Sequence, residues 1–441
     1  MRDLQMYRLM QRLYPICRSI TGDGVRQTLR IIQEYIPIKI SEVSTGTNVF
    51  DWTVPREWNI RDAYIKNSRG EKIVDFKESN IHVLNYSIPV NKRMGLEELK
   101  QHLFSLPEHP EWIPYLTSYY KDNWGFCLSH KQYESLQEDT YEVVIDSSLE
   151  NGSLTFAELE IPGQSEKEIL FTCYVCHPSL CNDNLSGVVL LTFLAQHMLG
   201  TSLKYSYRFL FIPETIGAIA WLAINEQKVR NIQYGLLATC VGDDGFSTYK
   251  KTRNENSFID RVVEKVLIDS GEPYKILPYS PYGSDERQFS SPGFAIPMGS
   301  LMRTSYGCFP EYHTSADNLD FIKPMSLENS LNKYLRTIFV VENNRLLIST
   351  NPKCEPQLGK RGLYKDIGSR KKSEYLEEAI FWLLNLCDGS CSLLDIAIRS
   401  KLPFEDVKEA AMLLCEHGLL NEITEQGYAH EMFGNHSCTW R

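Results

Sequence analysis

Three times along the chain, an apolar run of strand character stops at a polar, chemistry-bearing residue and gives way to a further element. The first run is "EILFTCYVC" from Glu168, followed by "HPSLCNDN" and then the helix-length, apolar "LSGVVLLTFLAQHML". The second is "YSYRFLFIP", which meets Glu214 in "PETIGAIAWL", and the third, "YGLLATCVGDDG", runs into Asp243 and Asp244. Strands alternating with helices predict an α/β fold, a doubly wound mixed sheet. In open sheets of this kind ligands bind just beyond the carboxyl ends of the strands. His177, Asp183, Glu214 and Asp243 all fall at such ends. Further on, "YGSDERQFSSPGFAIP" and "EYHTSADNLDFI" add Asp285, Glu286, Arg287, Glu311 and His313.

The stretch "CYVCH" spells the attachment signature of a c-type haem. Export normally precedes covalent haem attachment, and the amino-terminal "MRDLQMYRLMQRLYPICRSI" is broken by charge too often for a signal peptide or a membrane span. A cytoplasmic protein is expected. On a strand, Cys173 and Cys176 are predicted to point to opposite faces, so they do not grip one haem or one zinc together. In a reducing compartment the 12 cysteines read as free thiols. The formal net charge of -10 argues against affinity for nucleic acid or anionic lipid, which leaves a small-molecule or peptide substrate as the expected partner.

A lone histidine after a strand is more often structural than a ligand, and an aspartate before a helix is more often an N-cap. Weight comes from recurrence at equivalent places. Imidazole and carboxylate without thiolate suit a catalytic zinc with one open position. Such a zinc acidifies water toward a pKa of about 7 and polarises a carbonyl, while a nearby carboxylate moves the proton.

"HPSLCNDNLSG", "PETIGAIAWL", "GSDERQF" and "YHTSADNLDFI" occur in the order seen in the zinc aminopeptidase and glutaminyl cyclase superfamily, peptidase family M-twenty-eight, which the chain resembles. With "YPICRSITGDGVRQTL" near its start, it is more closely similar to bacterial aminopeptidase-like proteins associated with polysaccharide biosynthesis. The resemblance implies His177, Asp183 and His313 as zinc ligands and Glu214 as general base. It also marks departures. Thr215 stands where the family has a ligand glutamate, Thr239 and Cys240 where it has a ligand aspartate, and Glu286 where it has a histidine. One zinc per chain is therefore expected, with a second ion left open and Asp243 or Glu214 completing the shell. Asp285, Glu286 and Glu311 are candidates to hold a substrate ammonium, and Arg287 to hold a substrate carboxylate or to form a structural ion pair. Arg18, Ser19 and Asp23 are candidates to reach the site. The implied activity is hydrolysis of an amide bond near a free amino terminus. The rivals are a cyclase or acyl transferase, a binding protein without catalysis, and a DNA-binding regulator.

Residues 1–58 and 146–350 are expected to form the zinc-aminopeptidase-like domain, and 59–145 an inserted α+β lid. Tyr119, Tyr120, Trp124 and Phe126 are read as the lid's core or as a ring wall over the metal; His82, His102 and His109, without partners at ligand spacing, are read as structural. The polar stretch 351–372 reads as a linker, and 373–436 as a winged helix-turn-helix. Its would-be recognition helix, "PFEDVKEAAMLLCEHG", carries more acids than bases, so homo-oligomerisation or protein contact is expected there rather than DNA binding.

Overall fold

The computed structural model describes residues 2–363 and 375–423. They divide into two compact units, Met1–Arg261 with Pro273–Tyr334, and Val262–Glu272 with Leu335–Arg441.

The first unit is built on an eight-stranded mixed sheet. In chain order its strands are β1 (Lys39–Ser44), β2 (Ser153–Ile161), β3 (Ser165–Tyr174), β4 (Tyr205–Ile212), β5 (Ile232–Ala238), β6 (Ser247–Lys250), β7 (Tyr274–Leu277) and β8 (Met298–Met302). Their spatial order is β1-β2-β4-β3-β5-β8-β6-β7. β3 pairs in parallel with β4 on one side and β5 on the other, and β5 pairs in parallel with β8. The carboxyl ends of these four strands thus share one edge, and the connections that leave the neighbours β3 and β5 run in opposite directions, to β4 on one side and to β6 on the other. That is the switch point at which an open sheet forms a crevice. The expected α/β class is borne out. From Glu168 to Tyr174 β3 is buried at every position, as a parallel strand covered on both faces must be. Helix Ser186–Met198 is buried at nearly every position too, which explains its lack of a polar face.

A buried cluster of charges sits inside this sheet. Arg208 on β4 is 2% exposed and reaches Glu168 on β3 at 2.6 Å, and Glu158 and Glu160 on β2 at 3.0 and 2.9 Å. The carboxylates surround its guanidinium and satisfy its donors.

A second, four-stranded sheet follows β1 in the chain. Its strands Lys72–Asp75, Glu57–Lys66, Thr140–Glu150 and Val90–Gly95 lie in that order, over a core that includes Ile65, Trp124, Phe126 and Val143. The boundaries expected at 58/59 and 145/146 fall inside two of these strands. They form one antiparallel ladder from Glu57 opposite Glu150 to Lys66 opposite Glu142, so the chain does not break there. Residues 59–145 also belong to the same compact unit as the large sheet.

In the second unit, strands Asp388–Ser392, Leu346–Ser349 and Leu420–Glu422 form a three-stranded sheet beside helices Leu376–Leu386, Leu393–Ser400 and Phe404–Glu416. Leu346–Ser349 is the central strand, so this unit starts before the expected linker at 351. Part of that linker, 364–372, and both ends of the expected winged helix, 373–374 and 424–436, lie outside the described residues. Among the described residues no helix is long and apolar enough to cross a membrane.

Candidate metal centre

The loop after β3 carries His177 and Asp183, the turn after β4 carries Glu214, and the loop after β8 carries His313. Ligand atoms of His177, Asp183 and His313 all lie within 4.8 Å of one another. His177 Nε2 is 3.8 Å from Asp183 Oδ2 and 3.9 Å from Glu214 Oε2, and His313 Nε2 is 2.9 Å from Asp183 Oδ2. Asp183 Oδ2 and His313 Nε2 are both buried; they face each other without hydrogen-bond geometry, and neither has another partner among the described residues. A buried carboxylate oxygen and imidazole nitrogen with no partner beyond each other, converging with a second imidazole, fit a cation.

Asp183 is held from several directions. Asp317, in the same "YHTSAD" stretch as His313, accepts the backbone N–H groups of Asn182 at 2.6 Å and Asp183 at 2.9 Å. The Tyr174 hydroxyl donates to Asp183 Oδ1 and lies 2.7 Å from Thr239 Oγ1, which leaves Oδ2 for a metal. Gly187 lets the following helix pack against β5, since a Cβ there would stand 2.2 Å from the Ala238 carbonyl oxygen. Behind His177, the buried Arg18 donates Nε to its carbonyl at 2.8 Å and Nη1 to the Leu13 carbonyl at 2.7 Å.

Glu214 is presented by a strained turn. Thr215 has φ 62 and ψ -75, and Ile216 N–H donates to the Glu214 carbonyl at 2.8 Å, a γ-turn of the rare, left-handed kind. For a β-branched residue this conformation costs about 1–3 kcal/mol. Asp285 clamps it, accepting the Thr215 N–H at 2.7 Å, while Ser284 Oγ donates to Glu214 Oε1 at 2.6 Å. His313 is also left-handed, φ 55, with Tyr312 stacked on its ring at 4.0 Å and its carbonyl accepting from Tyr115 N–H.

The electrostatics separate the carboxylates. Burial, then the negative charge of Asp183, pushes Glu214 up to about 7. Burial acts to raise Asp183 as well, but His177, His313 and Tyr174 bring it down to about 2. Burial lowers His177 to about 4, so it stands neutral and able to ligate. Burial also pulls His313 down, but the Asp183 carboxylate more than offsets this and its pKa is raised.

The other expected residues are placed differently. Asp243 does not join the group: its oxygens accept from Asn182 Nδ2, Gly245 N–H and both Thr304 donors, so none is left for an ion. Glu286 is buried in an ion pair with Lys250 Nζ at 2.6 Å and accepts from the Tyr306 hydroxyl. Asp285 is buried behind Thr215, and burial followed by Glu214's charge raises its pKa well above the usual range. Glu311 does not line the cavity over the metal group. Ser19 bonds Asn85, whereas Asp23 pairs with Arg26 on a larger groove of 860 Å³ that holds none of the metal residues.

The cavity over the metal group has a volume of 350 Å³. His177, His313, Glu214, Thr215 and Cys176 form one side, and Trp52, Tyr115, Tyr119 and Tyr120 an aromatic side; Arg287 lies on its wall. Of the rings weighed from the sequence, Tyr119 and Tyr120 face the cavity, whereas Trp124 and Phe126 sit in the small sheet's core. Sequence reasoning missed Tyr174, Asp317 and Cys176. β3 ends at Tyr174, so strand alternation does not govern Cys176, whose sulfur accepts the Glu214 N–H at 3.3 Å and lies 3.4 Å from His177 Nδ1. His82, His102 and His109 belong to no metal group: His82 bonds the Cys127 carbonyl, and the other two stack on tryptophans.

The family model described as "Domain of unknown function (DUF4910)" matches residues 7–344, and one described as "winged helix-turn-helix" matches residues 345–422. A protein of Clostridium acetobutylicum, provisionally named for polysaccharide biosynthesis with an aminopeptidase-like domain, is 56% identical over 419 residues, 95% of this chain and 96% of the relative. A crystal structure from the same organism, provisionally described as a peptidase, has a TM-score of 0.92 at 55% identity and covers 96% of each chain. A zinc aminopeptidase of Bacillus subtilis has a TM-score of 0.56 at 10% identity, covering 77% of this chain and 94% of that one, a likeness of fold. The chain therefore belongs to the DUF4910 family, with an aminopeptidase-like α/β fold followed by a winged helix-turn-helix domain.

Proposed function

We propose that this chain is a zinc-dependent hydrolase of an amide bond, with one ion held by His177, Asp183 and His313. The observation that carries the reading is the convergence of ligand atoms of those three side chains within 4.8 Å, two of them buried with no partner beyond each other. A bound zinc supplies Lewis acidity, which polarises the scissile carbonyl and acidifies water. Glu214 faces the same space and acts as general base, taking a proton from water at Oε2 and passing it to the leaving amine. Ser284 holds Oε1, so the carboxylate keeps one orientation through both transfers. The Thr215 turn and its Asp285 clamp fix the backbone that carries this base. Trp52, Tyr115, Tyr119 and Tyr120 supply a wall that seats the substrate and displaces water.

Elemental analysis of the purified full-length protein tests the reading directly. About one zinc per chain is expected in the parent and none in a His177→Ala, His313→Ala double variant. A parent that takes up no metal after incubation with zinc would overturn it.

A further inference from the structure

An exopeptidase that acts at a free amino terminus needs an anionic group to receive the substrate's ammonium. The cavity has none to spare. Glu214 is the one carboxylate among its lining residues, and it is the group that moves the proton. Of the other acids nearby, Asp285 is buried behind the Thr215 turn, Glu286 is neutralised by Lys250, and Glu311 lies off the wall.

The cavity does have a free cation. Arg287 is exposed and lines it, and makes no ion pair or hydrogen bond with the described residues. Its charge is felt by both Glu214 and Asp285, yet neither carboxylate comes within ion-pairing distance of it. A guanidinium held near two acids without closing on either keeps its planar fork available to a ligand.

We infer that the substrate of this site is an amide that carries a carboxylate and no free ammonium near the scissile bond, of the N-acyl amino acid type, with Arg287 binding the carboxylate. The inference rests on the hydrolase reading for the identity of the site. A monoanion suits the wall better than a phosphate dianion, which would be repelled more strongly by Glu214 and Asp183. The acyl or side-chain portion lies against the aromatic side, where Trp52 and Tyr120 remain 39% and 48% exposed.

The test is a binding titration of zinc-loaded full-length protein, followed by calorimetry, with three probes: N-acetylphenylalanine, phenylalaninamide and inorganic phosphate. N-acetylphenylalanine is expected to bind about tenfold or more tightly than phenylalaninamide, the size of one charge-assisted contact. Arg287→Gln is expected to weaken N-acetylphenylalanine about tenfold and to leave phenylalaninamide, the melting temperature and the zinc content unchanged. Equal or tighter binding of phenylalaninamide or of phosphate overturns the inference, as does the absence of binding by all three. So does an Arg287→Gln variant that keeps the parent's affinity, since the carboxylate would then sit on the zinc alone. Because the readout is binding, it separates from turnover: a carboxylate preference without cleavage of any amide defeats the hydrolase reading and leaves Arg287's role standing.

Discussion

Glu214 can accept a proton from water only after losing its own. Burial and the charge of Asp183 raise its pKa to about 7 in the metal-free site, and a bound cation can only lower that value. The base form is the deprotonated one, so kcat/KM is expected to rise with pH along a limb whose apparent pKa lies at or below about 7, as a pH-rate profile would read. Glu214→Gln keeps the shape and the Ser284 contact but not the base, and should cut kcat by about 10²–10⁴ while the zinc content stays at the parent level. A profile with no such limb, or a Gln variant of parental rate, would remove Glu214 from the reaction. At this scale the sequence was most informative where a ligand's place depends on its own strand end. The candidates His177 and Asp183 are of that kind, whereas His313, well past its strand in a polar loop, was implied by the resemblance of "YHTSADNLDFI". The sequence was blind where the answer depends on what a distant segment supplies: Asp243 looked free because its partners Asn182 and Thr304 lie far away in the chain, and the Tyr174 phenol and Asp317 act through contacts no spacing reveals.

Among the elements, the central strands of the large sheet contain a charge that hydrophobic patterning would exclude. Arg208 pairs with three glutamates contributed by β2 and β3, and its removal leaves the buried Glu168 without a counterion beside the part-buried Glu158, whereas Glu160 is already half exposed. Arg208→Ala should destabilise the protein by about 3–5 kcal/mol, measured by chemical denaturation. A loss below about 1 kcal/mol would mean that water reaches the cluster. The apolar runs of β3, β4 and β5 made these strands readable in advance, because strands buried on both faces need few polar residues. Their neighbours were harder. The ladder from Glu57 to Lys66 with Thr140 to Glu150 continues through the places where composition changes, and such pairing is decided by residues some 80 positions apart.

For the molecule as a whole, the winged helix-turn-helix domain is the part whose fold name suggests more than its surface supports. Helix Phe404–Glu416 bears Glu405, Asp406, Glu409 and Glu416 against a single Lys408. Carboxylates on a helix entering a groove would repel phosphates, so full-length protein should fail to retard duplex DNA in a mobility-shift assay even at low salt. Retardation that weakens with added salt would reverse that view. Elsewhere, the loop that carries His313 is stitched to the segment that follows strand Val90–Gly95 of the small sheet. Ser315 N–H donates to the Ile113 carbonyl, Tyr115 N–H donates to His313, and Pro114 bridges Thr314. The candidate site and the stretch at residues 113–115 thus behave as a single mechanical part. A change that shifts residues 113–115 is felt two hundred positions later at a candidate ligand, so the aim of His313 is set as much by that distant stretch as by its own loop.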